Sequence, residues 1–339
     1  MSFIKKIILF LNVVFAFSLF LACIVPYTSS ASLAFVSLTV PALVLINMLF
    51  FLFWLFNKKI HLLISLIILV YGYFTLGTFI AFNGSNKHIV DTNSITLLSY
   101  NVLGFRGGDD VWEYNGSSQV LDFISDENPD IICLQEFVQN KIKKGSLESY
   151  PFVSKRYNLE NDQGGKNLAI YSKYKIINNG KLEFPETYNG GLFVDVVVEK
   201  DTIRVFNLHM ESFGVRPYSI KYERSDKLFV RLRDSFAKQQ RQSLIVKKFV
   251  DESPYNILIA GDFNNTQFSK SYFDIRGNLN DSFLEAGHGY GETIKFWKFP
   301  FRIDMILVDP IFEVLDHKNY SVDLSDHEPI MATIKIPSE

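Results

Sequence analysis

The stretch Asp130-Ile131-Ile132-Cys133-Leu134-Gln135-Glu136 determines how we interpret the fold of this chain. Four consecutive apolar residues, Ile131 to Leu134, predict a strand that is buried on both faces. Gln135 and Glu136 follow where the strand ends, and an α/β protein places its site at such strand ends. Cys133 lies inside the apolar run and is expected to be a small buried hydrophobe, not half of a disulfide.

Short apolar runs separated by polar turns continue on both sides of this stretch. Helices are predicted over residues 118–127, where Pro129 ends the pattern, and over about 221–251. Interleaved strands and helices indicate one α/β domain, which we place at residues 94–339. Further strands are predicted at residues 95–100, 168–171, 193–198, 203–208, 257–260, 305–308 and 331–336.

Polar side chains recur where the predicted strands end. One carboxylate after a strand is usually a turn or a helix cap, and one histidine is usually structural. Several such groups in one α/β domain predict a common site at one edge of the sheets. The groups are Asn101, Gln135-Glu136, His209, Gly261-Asp262-Phe263-Asn264, Arg302-Ile303-Asp304 and Ser325-Asp326-His327.

Oxygen donors dominate this set. Glu136, Asn101 and Asp326 suit a hard cation, Mg²⁺ or Mn²⁺. Zinc would prefer histidine and cysteine, and the one cysteine of this domain lies in a predicted strand. A phosphate ester is anionic, so its hydrolysis needs its charge neutralised and a water activated. The residue types therefore predict metal-dependent hydrolysis of a phosphate ester.

In the order of these stretches, the chain resembles the endonuclease/exonuclease/phosphatase superfamily. This group includes DNase I-like nucleases, neutral sphingomyelinases and inositol polyphosphate phosphatases. The resemblance covers about residues 94–336 and implies a four-layered α/β sandwich with two packed mixed sheets. The stretches that carry it are Leu98-Ser99-Tyr100-Asn101-Val102, residues 130–136, Leu168-Ala169-Ile170-Tyr171-Ser172-Lys173, Asn207-Leu208-His209, residues 261–264, residues 302–304 and Ser325-Asp326-His327-Glu328-Pro329.

The resemblance also implies roles for the carboxylates and asparagines. Glu136 matches the principal metal ligand of the family, and Asn101 matches the asparagine beside it. Asp262 and Asn264 match residues that position or deprotonate the attacking water, or that help to hold a second metal. These four residues are therefore expected to bind the cation and the water.

Two histidines are expected to contact the phosphate. His327 matches the histidine that contacts the scissile phosphate, and Asp304 matches the aspartate that holds it. His209 matches a phosphate contact of the DNase I-like branch. We find no clear counterpart of that branch's second acid–histidine pair or of its basic DNA-gripping loop. The segment from Asn161 to Asn167 is either a polar turn or a loop that reaches the site.

The first 82 residues differ in composition from the rest. They contain Lys5, Lys6, Lys58 and Lys59 and no Arg, Asp or Glu. Three apolar runs, at about residues 7–25, 33–56 and 60–82, each have the ~20 residues that cross a bilayer, so three transmembrane helices are predicted. A cleaved signal peptide is the alternative for the first run, and buried helices of a soluble domain are the alternative for all three.

Loop charges predict the orientation of these helices. With the N-terminus inside, both lysine pairs are cytoplasmic. Three crossings and a linker at residues 83–93 then place the catalytic domain outside the cytoplasm, as in a multi-pass protein of a bacterial inner membrane. The whole chain is 48% hydrophobic. With a mean hydropathy of +0.11, it is neither disordered nor a disulfide-stapled miniprotein, and a wholly soluble protein is disfavoured.

Charge also bears on the substrate. Four of the 34 Lys and Arg residues precede Asn83, so 30 remain in residues 83–339 against 36 Asp and Glu, a net charge of −6. The long predicted helix is rich in cations, but we expect them on a solvated outer face, with Phe236 and Leu244 turned inward. Because duplex binding usually needs a basic surface, nucleic acid is not favoured as a partner.

The leading hypothesis is a membrane-anchored phosphoesterase that acts beside the lipid bilayer on a phosphodiester or phosphomonoester, with a lipid head group as the expected substrate class. One alternative is an anchored endonuclease or exonuclease acting on extracytoplasmic DNA or RNA. Another is a non-catalytic binding protein that keeps the fold.

Overall fold

The computed structural model describes residues 2–83, 93–106, 116–143, 145–157, 167–215, 223–296 and 299–337. A helical head, residues 2–80, precedes an α/β body. Of the predicted linker, only Asn83 and Asn93 are among the described residues. Of the polar segment beginning at Asn161, only Asn167 is described, so its predicted alternatives lie outside the described residues.

The helical head has four helices: α1 (Phe3–Ile24), α2 (Ala31–Ala34), α3 (Val40–Phe56) and α4 (Leu62–Leu76). Helix α1 continues into a 3₁₀ turn at Val25–Tyr27, and a 3₁₀ turn at Phe35–Thr39 joins α2 to α3. The two stretches formed in this way are long and apolar enough to cross a membrane. These stretches are Phe3–Tyr27 and Ala31–Phe56. By length and composition, a signal sequence or a core helix of a soluble protein meets the same criterion.

The prediction that residues 60–82 form a third membrane-spanning helix is wrong. The structure has α4, with 15 residues, and then the short strand β1 (Ala81–Phe82). Gly77 ends α4 at a φ of 78°, which favours glycine, and its N–H donates to the Tyr73 carbonyl at 3.0 Å. At 1.5 Å per residue, α4 is about 22 Å long, short of the ~30 Å hydrocarbon core. Two stretches, not three, are candidate spans.

A polar cluster lies at the centre of the helical head. Asn12 of α1 donates to the Ser65 hydroxyl of α4 at 2.7 Å, and Trp54 of α3 donates to Asn12 at 3.0 Å. Ser65 also donates to Asn47 of α3 at 3.4 Å. All four side chains are fully buried. The outward faces are apolar and exposed, with Phe10, Phe17, Leu49, Ile67 and Phe74 among the exposed residues.

The strands of the body form two six-stranded sheets within the described residues. Sheet 1 contains, in spatial order, β15 (Glu313–Asn319), β16 (Ile330–Lys335), β2 (Ser94–Asn101), β3 (Ile131–Phe137), β5 (Asn167–Ser172) and β4 (Phe152–Arg156). Sheet 2 contains β10 (Asn280–Asp281), β14 (Asp304–Val308), β9 (Asn256–Asp262), β8 (Asp201–His209), β7 (Gly190–Val198) and β6 (Lys175–Glu183).

Both sheets are mixed, because β2–β3 and β8–β9 are parallel pairs and the other neighbours are antiparallel. Two short pairs complete the β-structure: β1 with β11 (His288–Gly289), and β12 (Ile294–Phe296) with β13 (Phe299–Phe301). The mixed-sheet prediction is confirmed.

The layers explain why the strand at residues 131–134 is apolar throughout. Ile131 and Cys133 lie in the core between the two sheets, and Cys133 is free, as predicted. Ile132 and Leu134 point the other way and pack under α5 (Gly116–Glu127). The outer face of sheet 2 packs under α6 (Ser225–Asp251) and α7 (Lys270–Arg276), and α8 (Ser282–Ala286) contacts β14 and β15. Successive side chains of β3 therefore enter two different cores.

Helix α6 differs from its predicted pattern. Phe236 is buried as predicted, but the prediction for Leu244 is wrong, because that side chain is 59% exposed. Gln239, Gln242 and Ser243 are buried instead. The spacing of apolar residues did not predict that α6 would bury a polar face. Gln239 on this face donates to backbone carbonyls beside the site described below.

Candidate active site

Both sheets end at one edge of the body, and the predicted site residues lie at these ends. Asn101 ends β2, and Glu136 lies near the end of β3. From sheet 2, His209 ends β8 and pairs in register with Asp262 at the end of β9. Asp262 in turn pairs with Asp304, the first residue of β14. The carboxyl ends of two parallel pairs thus bring these side chains to a common place.

A buried polar contact joins the two sheets next to the site. Gln135 donates to Asn207 at 2.7 Å and to Ser99 at 3.2 Å. Asn207 donates to the carbonyl oxygens of Leu134 and Ala169, each at 2.9 Å. Gln135 belongs to sheet 1 and Asn207 to sheet 2, so these bonds set the position of one sheet relative to the other. These contacts between the sheets were not predicted from the sequence, although an amide side chain within an otherwise apolar strand could have indicated them.

A β-bulge directs Glu136 into the site. The register between β3 and β5 passes from the Leu134–Ala169 pair to the Phe137–Asn167 pair, which leaves one extra residue in β3. Glu136 adopts a φ of 50°, a conformation that a non-glycine residue keeps only where its surroundings impose it. Its side chain is 22% exposed, and Oε1 lies 3.5 Å from His209 Nε2.

Asp262 is held by a close approach of two strands. Gly261 has a φ of 146°, and a Cβ there would lie 2.1 Å from the Leu208 carbonyl oxygen, so only glycine fits. Asp262 Oδ1 accepts the Asn264 backbone N–H at 2.7 Å, and Oδ2 accepts the Asn101 amide at 2.9 Å. Asn264 has a φ of 50°, and its amide donates to the Met210 carbonyl at 3.0 Å.

Asp304 and His327 form the predicted acid–histidine pair. Asp304 Oδ2 lies 2.9 Å from His327 Nδ1, and His327 Nε2 lies 3.7 Å from Asp262 Oδ2. The Thr293 hydroxyl accepts the Asp304 backbone N–H at 3.1 Å. The Ser325 hydroxyl donates to the Asn101 carbonyl at 2.8 Å, which ties the segment before His327 to sheet 1. Thr293 and Ser325 are supports whose roles the sequence analysis did not predict.

The electrostatics of the site follow from burial among charges. Burial raises the pKa of Asp262 to about 7; the Asp304 carboxylate adds to this rise, and the charge of His327 opposes it. Burial acts to lower the pKa of His327, but the carboxylates of Asp304 and Asp262 outweigh it and hold that pKa well above the usual range. The site thus pairs a protonated imidazole with a carboxyl group that titrates near neutral pH.

The donor set fits a divalent cation. Atoms of Asp262, Asp304 and His327 lie within 4.8 Å of one another, and because the protonated imidazole of His327 has no lone pair for a cation, the carboxylates are the ligands that fit. Asp304 Oδ1 is buried and makes no hydrogen bond within the described residues. Since Glu136 lies beside this cluster, three carboxylates meet in a mostly buried place, where a cation would offset their repulsion.

Seven of the eight predicted site residues are linked by close contacts, and the eighth, Asp326, lines the same cleft and adds to the raised pKa of His327. Asp326 is exposed on the wall of the cleft, and its carboxylate accepts the Ser325 hydroxyl at 3.3 Å. Asp304, predicted as a partner of His327, belongs to the cluster of Asp262, Asp304 and His327 described above. The seven residues that converge are Asn101, Glu136, His209, Asp262, Asn264, Asp304 and His327.

An open cleft of about 1380 Å³ leads to these residues. The first half of α6 forms one wall, with Lys227, Arg231 and Lys238. Arg231 pairs with Glu223 at 2.7 Å and Lys238 with Glu211 at 3.1 Å. Among the described residues, acidic side chains outnumber basic ones on the cleft wall: Glu136, Glu186, Glu211, Asp226, Asp234, Asp262 and Asp326 against Arg106, Lys227, Arg231 and Lys238.

Two packed mixed sheets with acids, amides and histidines at one edge define the DNase I-like class of α/β proteins. The model of the endonuclease/exonuclease/phosphatase family matches residues 98–327, and the chain belongs to this family. A second family model, of a domain of unknown function, matches residues 5–79. No curated protein sequence matches the chain significantly.

Solved structures share the fold at low identity. D. rerio TDP2, in complex with a single-stranded DNA product, is 16% identical over 72% of this chain and 99% of its own, with a TM-score of 0.54. A mannosyl-6-phosphatase of Bacteroides thetaiotaomicron is 19% identical over 71% and 100%, with a TM-score of 0.53. The catalytic domain of human Nocturnin, with bound sulfate, is 15% identical over 72% and 94%, with a TM-score of 0.55.

Proposed function

We propose that this chain is a membrane-anchored, divalent-metal-dependent phosphoesterase. The observation that carries the proposal is the convergence of seven predicted side chains, from both sheets, at the base of one cleft. A binding protein that merely kept the fold would not need a paired imidazole and a carboxyl group with a pKa of about 7. The retained set argues against the non-catalytic alternative.

In this proposal, different residues of the site bind the cation, accept the proton of the attacking water and contact the phosphate. Glu136, Asn101 and Asp326 would hold a cation such as Mg²⁺ or Mn²⁺, which would supply neutralisation of phosphate charge and activation of water. Asp262 accepts a proton from the water that Asn264 helps to orient. His327, held protonated by Asp304, and His209 contact the phosphate oxygens.

The helical head supports membrane anchoring. Its outward faces carry exposed aromatic and aliphatic side chains, while Asn12, Asn47, Trp54 and Ser65 are buried and bonded to one another, an arrangement expected of helices in lipid. We keep residues 1–82 as membrane region, 83–93 as linker and 94–339 as catalytic domain. Family-model matches over residues 5–79 and 98–327 support this division.

Lysine positions support an extracytoplasmic catalytic domain. Lys5 donates to Asn57 at 2.7 Å, so the lysines at residues 5–6 and 58–59 lie at one end of the helical head. The body contacts the other end, through Tyr27 and Phe79. With the lysine end inside, the body lies outside if α4 and the residues after it complete a third crossing in addition to the two long stretches. Two complete crossings would instead return the chain to the cytoplasm, and a topology experiment separates these arrangements.

The substrate we propose is a phosphodiester or phosphomonoester at the membrane, with a lipid head group first among the candidates. The acidic wall of the cleft disfavours duplex nucleic acid. Six of the seven cations that the sequence shows on α6 form ion pairs, from Arg231–Glu223 to Lys248–Glu252. Relatives of similar fold are described with a single-stranded DNA product and as a mannosyl-6-phosphatase, so the substrate must be tested directly.

The test is a substrate panel on the full chain in detergent with Mg²⁺: plasmid DNA, RNA, phospholipid, sphingolipid, inositol phosphates, sugar phosphates and bis-p-nitrophenyl phosphate. We expect hydrolysis that His327→Ala lowers by ~10²-fold or more and that the exposed control His288→Ala keeps. Efficient, salt-sensitive plasmid nicking without lipid turnover would replace the lipid proposal by a nuclease. No hydrolysis of any substrate would contradict the phosphoesterase.

A further inference from the structure

The segment that follows Asp262 leads from the active site directly into the helical head. Every residue from Gly261 to Ser269 except Asn264 is buried. Phe268 is only 2% exposed, and it packs with Leu19 of α1, Val40 of α3 and Leu76 of α4. A side chain of the catalytic body therefore belongs to the core of the helical head.

The same segment is held from its other side by α6. Gln239 donates to the Asn264 carbonyl at 3.1 Å and accepts the Asn265 amide at 2.7 Å. Within the segment, Thr266 N–H donates to the Asn265 side chain at 2.9 Å. Gln239 and Phe268 thus hold the chain at two points within four residues of Asn264.

Other contacts between head and body are made by residues that lie farther along the chain from Asp262 and Asn264 than Phe268 does. Phe35 of the head meets Phe229 of α6 with ring centroids 5.3 Å apart, and Phe79 meets Tyr290 at 6.1 Å. Neither Phe229 nor Tyr290 lies within six residues of a predicted site residue along the chain. Phe35 serves as the control for Phe268: it is half-buried, and its contact joins the head to α6 at Phe229, ten residues before Gln239, and not to the segment carrying Asp262.

We propose that Phe268 is a positioning residue, and that through it the helical head holds Asp262 and Asn264 in place. The proposal rests on the proposed phosphoesterase function. An apolar cavity of about 180 Å³ already adjoins the Phe268 ring, between Val44, Leu69 and Phe79. Removing the ring enlarges this space and frees one side of the segment. The head is then part of the catalytic apparatus as well as an anchor.

The kinetic test uses the full chain in detergent with bis-p-nitrophenyl phosphate and Mg²⁺. Because a small misplacement of a catalytic group is costly, we expect Phe268→Ala to lower kcat roughly 10-fold. KM should stay within about two-fold, since Asp262 and Asn264 act on the water and not on substrate binding. Phe268→Leu, which refills the cavity, should restore most of kcat, and Phe35→Ala should keep it.

Wild-type kcat in Phe268→Ala would overturn the proposal, and so would an equal loss in Phe35→Ala. Phe268→Val carries the same test if the alanine variant does not fold. Hydrogen exchange of the backbone amides of residues 263–269 gives a readout that needs no activity: we expect faster exchange in Phe268→Ala than in Phe35→Ala. Unchanged exchange would overturn the positioning role of Phe268 and leave the proposed function standing. A wild-type chain that is inactive on every substrate would overturn the proposed function and leave the positioning role standing.

Discussion

At the scale of single residues, His327 derives its charge from its neighbours. The Asp304 carboxylate, 2.9 Å from Nδ1, and the nearby Asp262 carboxylate hold its pKa well above the usual range although burial opposes this. A protonated His327 is suited to a phosphate oxygen, whereas Asp262 must lose its proton to accept one from water. In the proposed mechanism, the two residues therefore set opposite limits on the pH range of activity.

We predict that Asp304→Asn moves the alkaline limit of activity to lower pH. The substitution keeps a hydrogen-bond acceptor but removes the charge that stabilises the imidazolium, so the pKa of His327 falls. Activity that needs the protonated form is lost as pH rises through that pKa, hence at a lower pH than in the wild type. The loss of kcat should be smaller than the ~10²-fold loss in His327→Ala. Profiles of kcat against pH measure both effects, and an unmoved alkaline limb would discredit the pair.

Glu136 provides a test of the cation. We predict that EDTA abolishes hydrolysis, that Mg²⁺ or Mn²⁺ restores it, and that Glu136→Gln raises the Mg²⁺ concentration for half-maximal activity by ~10-fold or more. Gln keeps the size of the side chain but not the charge that the cation needs. Glu285→Gln, on an exposed residue of α8, is the control. Full activity in chelator would remove metal from the mechanism.

At the scale of elements, the parallel pair β8–β9 depends on Gly261. A Cβ at this position would lie 2.1 Å from a carbonyl oxygen and 2.6 Å from a backbone nitrogen of Leu208, and backbone atoms cannot move aside as a flexible side chain can. Since β8 ends in His209 and β9 in Asp262, any separation of the two strands also displaces the site.

We predict that Gly261→Ala lowers the free energy of unfolding by about 3 kcal/mol or more, the range of severe steric substitutions. Gly277 supplies the comparison. It also has a positive φ, 48°, but an added Cβ there meets no atom within 4 Å. Gly277→Ala should therefore cost only backbone strain, about 1–3 kcal/mol for its sparsely populated conformation at φ 48° and ψ −118°, without the clash that Gly261→Ala adds. Thermal unfolding of both variants measures the difference, and equal costs would show that close strand approach contributes nothing.

At the scale of the whole molecule, the arrangement of head and body predicts membrane topology. Both lysine pairs lie at the end of the helical head that is opposite to the body. We predict that a reporter active only outside the cytoplasm, fused after Ile336, is active. A reporter that works only in the cytoplasm, fused at the same point, is the reciprocal control. Activity of the cytoplasmic reporter alone would mean that only the two long stretches cross the bilayer.

Sequence patterns identified the strands at the middle of each sheet and missed those at the edges. All eight predicted strands, β2, β3, β5, β7, β8, β9, β14 and β16, lie between two neighbours. The four edge strands, β4, β6, β10 and β15, were not predicted. A central strand is covered on both faces and needs apolar residues, whereas β6, with the sequence KIINNGKLE, is largely exposed and polar. Apolar patterning therefore detects burial more than it detects strands.

What the sequence determined by itself is the set of chemical groups and their order along the chain: eight site residues after strand ends, an apolar head and an acidic body. Tertiary structure decided which of them meet. The bulge at Glu136, the Gln135–Asn207 contact between sheets and the exposed position of Asp326 depend on packing between segments remote in sequence. The insertion of Phe268 into the head is of the same kind. Local periodicity records only whether a residue is buried, and the identity of its neighbour is set when the sheets and helices pack together.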